Sequence, residues 1–274
     1  MLNQSEEVLG GAKAVPLAAG LDALLQVWTA LQGQTDGIRD AMRLAALDGV
    51  ERHLETAELG ANEQTRVGQL MLTFTTAAEP PEGRAPATHA YFRARAADIL
   101  AKLGKTGTDR SSTDILDSLV AMVADQEAPM WARAAGASAI GQLDLSTPQG
   151  IDFAKVIGAL ADFSLDATGS DNKPRGVMSY LTSVESALNG VEGNQRTVVL
   201  LATGEQKTLA DEFKMKLEEM MAALNNRRAT EEEIRAEIDT LAAALKTWLE
   251  ERQVQLHLDE QGGEGPMLAE TESS

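Results

Sequence analysis

RARAADILAKLG at residues 93–104 and RAAGASAIGQLD at residues 133–144 are the stretches on which the fold turns, because a shift of 40 positions lays one on the other. It puts Arg93 on Arg133, Ala94 on Ala134, Ala97 on Ala137, Leu100 on Ile140 and Leu103 on Leu143. Apolar residues at steps of three and four mark one face of a helix, and small residues along that face let a neighbouring helix come close. A period of about 40 residues has room for two helices and their turns.

The segments that follow repeat as well. With a shift of 37, Leu116 falls on Phe153, Leu119 on Val156, Val120 on Ile157, Ala124 on Ala161 and Asp125 on Asp162. Each carries a long apolar stripe suited to lining the interior of a stack. A third, fainter copy runs from Pro174 to Leu188 with Val177, Tyr180, Leu181, Val184 and Leu188 on one side, but Ser183 stands where leucine is expected. On Arg93 to Gly104, Leu116 to Asp125, Arg133 to Asp144 and Phe153 to Asp162, the chain resembles the HEAT-repeat family of α-solenoids, over about residues 88–190. The resemblance implies an all-α fold, a short irregular α-solenoid of antiparallel helix pairs, and a repeat surface that holds a protein partner.

The flanks read as non-repeat helices. In the N-terminal helical region, residues 1–84, Leu21, Leu24, Leu25, Trp28 and Leu31 make a stripe that Gly33 ends. Asp36 is placed to cap a helix carrying Ile38, Met42, Ala45 and Ala46 on one side, and Asn62 to cap one carrying Val67, Leu70, Met71 and Phe74. Three prolines and a glycine in EPPEGRAP, residues 79–86, then interrupt the helical pattern, and a boundary is expected there. The HEAT-like helix pairs occupy 85–190. Within them Gly104 is a natural helix C-cap, Ser111 to Asp114 reads as a capping box, and Pro129 suits a first helical turn.

A C-terminal helical hairpin is expected over 191–258. Val198 to Leu201 is a short apolar run, read as a buried helix for want of a second strand. Leu209, Phe213, Leu217, Met220, Met221 and Leu224 form one stripe of the hairpin, and Ile234, Ile238, Leu241, Leu245, Trp248 and Leu249 the other, with Thr230 and Glu233 as a capping box between them. Such a hairpin either closes the end of the stack or projects from it. Residues 259–274 have the composition of a disordered tail.

Composition narrows the function. A hydrophobic fraction of 43% supports a packed core, while aromatics are only 4%. With 24 basic and 42 acidic side chains the formal net charge is −18, which repels nucleic acid and anionic membrane; it suits the solvated helix faces of a soluble cytosolic protein and can attract a basic protein partner. Homo-oligomers could form through the C-terminal hairpin. There are no cysteines. The acidic N-terminus lacks a signal-peptide pattern, and no apolar run nears the ~20 residues that span a bilayer, so the expected location is cytoplasmic and off the membrane.

No chemistry-bearing motif emerges. His53, His89 and His257 stand far apart, and no second histidine lies at helical spacing. Residues 166–174 resemble a calcium loop in Asp166, Thr168, Ser170 and Asn172, yet Val177 stands where the bidentate glutamate belongs. GEQKT at 204–208 lacks the earlier glycine of a phosphate loop, since Val199 is there. Ser111, Ser112 and Ser146 have capping roles, and paired acids such as Glu218 and Glu219 suit solvated faces. Trp28, Trp131 and Trp248 lie on apolar stripes and are expected in the core, as are Met215, Met220 and Met221. The expectation is a non-catalytic scaffold or adaptor with no catalytic, cofactor-binding or metal-ligating residues. The alternatives are an oligomer-forming structural subunit and a HEAT-like enzyme of unknown chemistry.

Overall fold

A computed structural model describes residues 37–56, 59–147, 150–169, 172–191, 194 and 196–262, with side chains as far as Arg252, together with the single positions Ala23 and Gln26. The expected stripe from Leu21 to Leu31, the expected cap Asp36 and residues 263–274 of the expected tail therefore lie outside the described residues, while residues 259–262, expected in the disordered tail, continue the last helix. Those described are all-helical: α1 (Gly37–Thr56), α2 (Ala61–Thr75), α3 (Pro86–Leu103), α4 (Asp114–Ala124), α5 (Met130–Ile140), α6 (Phe153–Ala167), α7 (Pro174–Asn189), α8 (Val198–Leu201), α9 (Gly204–Leu224) and α10 (Glu231–Gly262). No described helix is long and apolar enough to cross a membrane.

Local chemistry sets the helix ends. Gly104 closes α3 at φ 65°, a left-handed backbone that glycine adopts without a Cβ clash. Pro86 and Pro174 sit in first turns, where a missing N–H costs nothing. The capping box at α10 is present: Thr230 Oγ1 accepts the Glu233 N–H at 3.2 Å, and Glu233 accepts the Thr230 N–H at 2.7 Å. Two caps differ from expectation. Gly60 takes the place of Asn62, its N–H donating to the Glu63 carboxylate at 2.9 Å. The Asp114 carboxylate instead faces back into its loop, accepting from Thr108 N–H at 2.8 Å, Thr108 Oγ1 at 2.6 Å and Ser112 Oγ at 2.9 Å.

Helix α3 packs against α1, α2 and α5; α5 against α3, α4 and α7; α7 against α5, α6 and α9. Helix α4 packs against α2, α5 and α6, and α6 against α4, α7, α9 and α10. One apolar cluster runs through all of them from Ala46 to Leu249, crossing the 79–86 break through the contact of α2 with α3. The sequence pairs α3 with α4 across a long polar loop, whereas α4 packs mainly on α5, to which only a short turn at 125–129 joins it. The C-terminal hairpin does not project: α9 and α10 both lie on α6 and α7.

Burial reproduces the 40-residue shift. Tyr91 to Leu100 and Trp131 to Ile140 run through the same order of exposed, buried and half-buried positions at every place. The second helices need a shift of 41, not 37. It aligns Ile115 with Val156, Leu119 with Leu160, Met122 with Phe163 and Asp125 with Asp166, and the buried positions then coincide throughout. The two shifts differ by four residues, about one helical turn, so either one superimposes the apolar faces. An ion pair repeats at the same shift of 41, because Asp125 binds Arg93 and Asp166 binds Arg133.

Connecting loops stack into a ridge at the C-terminal ends of α3, α5 and α7. Gly104 O accepts the Asp144 N–H at 2.9 Å, Gly141 O accepts the Val191 N–H at 3.2 Å, and Asn194 Nδ2 donates to Gly141 O and Leu143 O at 3.0 and 3.1 Å. Helix α1 departs from its expected face. Asp40, Arg43, Ala46, Leu47 and Val50 are buried, while Ile38 is 78% exposed and Met42 and Ala45 also face outward. The inward Asp40 draws Arg43 to 2.6 Å and Arg84 to 3.1 Å, and this buried charge group fixes the rotation of the helix.

Candidate protein-docking surface

Most polar residues that could carry chemistry are engaged in holding the fold. Among the described residues no three His, Asp or Glu side chains are placed to hold a metal ion. An open cleft of about 600 Å³ lies between the start of α7 and the start of α10, but its Arg235 donates to Asn172 O at 3.3 Å and pairs with Asp239 at 3.4 Å. A smaller hollow of about 220 Å³ beside α4 and α6 contains Asp117 and Lys155, which pair at 3.3 Å, and Asp152, which caps α6 through the Lys155 N–H.

Other candidates resolve in the same way. Ser111 and Ser146 donate to loop aspartates, Asp109 at 2.8 Å and Asp144 at 2.5 Å, so these hydroxyls stitch loops where helix capping was expected. Asp166 of the calcium-like stretch turns to Arg133. His53 is half-buried on α1, and His257 lies beyond the placed side chains. His89 is buried in α3, where its Nε2–H donates to Ala77 O at 2.7 Å and its Nδ1 meets no hydrogen-bond partner. Burial lowers its pKa and the nearby Arg84 and Arg93 lower it further, against the opposing pull of the Ala77 carbonyl and Asp125.

The edge formed by the turns into α3 and α5 is different. Arg93 and Arg133 are only 4% and 2% exposed. Arg93 Nη1 meets Asp125 at 2.5 Å. Arg133 meets Asp166 at 2.9 Å, donates through Nε to Val123 O at 2.7 Å and lies over the Phe163 ring at 4.9 Å. Arg84 lies over Phe92 at 4.8 Å while it binds Asp40. The cations of this edge are thus turned inward and paired.

Two residues before each repeated arginine, an aromatic side chain points outward. Tyr91 is 47% exposed and Trp131 is 43% exposed, at equivalent positions on two helices that pack on each other. This corrects the expectation that Trp131 is a core anchor. Its helix turns Ala132, Arg133, Gly136, Ala139 and Ile140 inward, and the close contacts with α3, α4 and α7 are made mainly by small side chains and the paired guanidinium. Trp248 does sit in the core, stacked on Phe213 at 6.0 Å with its Nε1 donating to Glu212 at 2.7 Å. Met220 is buried, whereas Met215 is exposed. Exposed Glu79 and Glu82 lie in the turn before α3, and exposed Gln126 and Glu127 in the turn before α5. Carrying the 40-residue shift two places further back lays Tyr91 on Trp131, a signal present in the sequence.

No family model matches this chain, and neither does any curated protein or solved structure.

Proposed function

We propose that this chain is a non-catalytic protein-binding scaffold or adaptor, built as a short, irregular, HEAT-like α-solenoid of antiparallel helix pairs whose C-terminal hairpin covers one end. The observation that carries the reading is the duplicated environment of α3 and α5, with the same burial order and the same inward arginine paired to an aspartate one helix further on. Contacts of each helix with the second one along, α1 with α3, α3 with α5, α5 with α7 and α7 with α9, suit a stack of pairs phased as α2 with α3, α4 with α5 and α6 with α7. A net charge of −18 favours a basic partner in the cytoplasm.

In a scaffold of this kind the packed rows supply rigidity, and binding falls to exposed positions that recur along them. Affinity purification with cross-linking from the native cell tests the reading. Recovery of a stoichiometric protein partner that survives raised salt is the expected result. Recovery of cross-links within copies of this chain alone would replace the adaptor by a self-assembling subunit.

A further inference from the structure

We infer that Tyr91 and Trp131 form one docking surface for a basic protein segment, with arginine or lysine side chains of that segment stacking on the two rings. The inference rests on the scaffold reading and names the surface and the chemistry of the partner. Among the described residues the exposed aromatic rings are Tyr91 and Trp131, and they occupy the same place in successive repeats. Parallel neighbouring helices lie about 8–10 Å apart, so residues at equivalent positions offer an extended segment two rings in succession. That the two helices run the same way follows from their ends. Arg93, about halfway along α3, reaches Asp125 in the turn before α5, and Gly104 at the end of α3 accepts from Asp144 after the end of α5.

Charge selects the occupant. On this edge Arg84, Arg93 and Arg133 are buried in pairs with Asp40, Asp125 and Asp166, which leaves Glu79 and Glu127 exposed in the turns leading to the rings. An aromatic face attracts a cation, and exposed carboxylates in the turns that lead to the two rings add to the field that draws it in. The cations of the segment accordingly sit over the two rings of α3 and α5. Tyrosine and tryptophan also lose little side-chain freedom on binding, which suits them to anchor a partner.

The test uses the full chain and a labelled nonapeptide of arginine, with a nonapeptide of glutamate as control, followed by fluorescence anisotropy at several salt concentrations. Binding of the arginine peptide only is expected. The Tyr91→Ala/Trp131→Ala variant should bind it about tenfold more weakly at unchanged net charge, and Tyr91→Phe/Trp131→Phe should restore most of the loss. Glu79→Gln/Glu127→Gln should flatten the salt dependence. Both rings are exposed, and thermal melts of the variants should overlay that of the parent. Undiminished binding by the double alanine variant would overturn the proposal, leaving diffuse charge as the cause. A dimer that dissociates in that variant would overturn it in favour of a second copy of the chain as the occupant. If the alanine variant still recovers the partner found by cross-linking in the native cell, this surface fails while the scaffold reading stands.

Discussion

Arg133, near the start of α5, closes on Asp166 near the end of α6 at 2.9 Å, and Arg93 closes on Asp125 in the same way one repeat earlier. Each pair ties an arginine within one helix to the end of the next, so it fixes how far neighbouring helices slide past each other. Arg133→Ala would strip the Val123 carbonyl of its donor and the Phe163 ring of its cation and leave a cavity, at a cost of about 2–4 kcal/mol. Asp166→Asn should cost less, about 1–2 kcal/mol, because the Asp166 carboxylate is 37% exposed and water screens part of its charge. Urea titration of the two single variants and the double variant measures both costs and their coupling. A loss below about 0.5 kcal/mol for Arg133→Ala would mean that the pair does not hold the register.

Gly141 and Gly158 make a contrasting pair. A Cβ at Gly141 would stand 2.2 Å from the Ser186 carbonyl oxygen, whereas one at Gly158 on α6 would meet nothing within 4 Å. Gly141→Ala must therefore push α5 and α7 apart and should destabilise the fold by about 3 kcal/mol, while Gly158→Ala should stabilise it by about 0.5–1 kcal/mol. Thermal melts of the two variants check the expectation through opposite signs.

How much of this was legible in the sequence depended on periodicity. The alanine and leucine stripes of α3 and α5 and the repeated arginine can be read from residues 93–104 and 133–144, and the caps at Gly104 and Thr230 follow from residue type. The register of α4 against α6 could not be read, since shifts of 37 and 41 both lay apolar residues on apolar residues, and only the burial of each position and the placement of Asp166 against Arg133 separate them. Rotation of α1 was hidden for a related reason. Ile38 and Met42 look like core residues until Asp40 and Arg43 are seen to be buried with Arg84, which comes from 44 positions beyond Asp40. Trp131 was misread because tryptophan on an apolar stripe usually points inward. The alanine-rich neighbours that demand close helix contacts leave no room for it there.

His89 links stability to pH. Burial depresses its pKa in the folded chain below the ordinary value of about 6.5, so the unfolded chain binds more protons as the pH falls through that value. The stabilising contribution is fully present above about pH 6.5 and is lost on acidification toward the depressed folded value. The lowered carboxyls of Glu51, where burial is outweighed by hydrogen bonds from Lys102 and Arg95, and of Glu212, where the Trp248 N–H leads, add a further loss at lower pH. Denaturant unfolding from pH 7.5 to 5 should show falling stability in the parent chain. His89→Gln, which keeps an N–H donor for Ala77 O, should flatten that slope, and an unchanged slope would mean that other groups are responsible.

Trp131 and Trp248 should separate by solvent access. Acrylamide is the quencher of choice, because a net charge of −18 keeps iodide away from the surface. Trp131→Phe should remove an accessible part of the emission and leave stability within about 0.5 kcal/mol of the parent, as expected for an exposed side chain. Trp248→Phe should remove a protected part. It should also cost about 1–2 kcal/mol, because Glu212 loses the indole N–H at 2.7 Å and is left with the Arg252 guanidinium. Trp28 contributes the same background to both variants. Equal quenching of the two variants would contradict the outward placement of Trp131, and with it the docking surface that Trp131 shares with Tyr91.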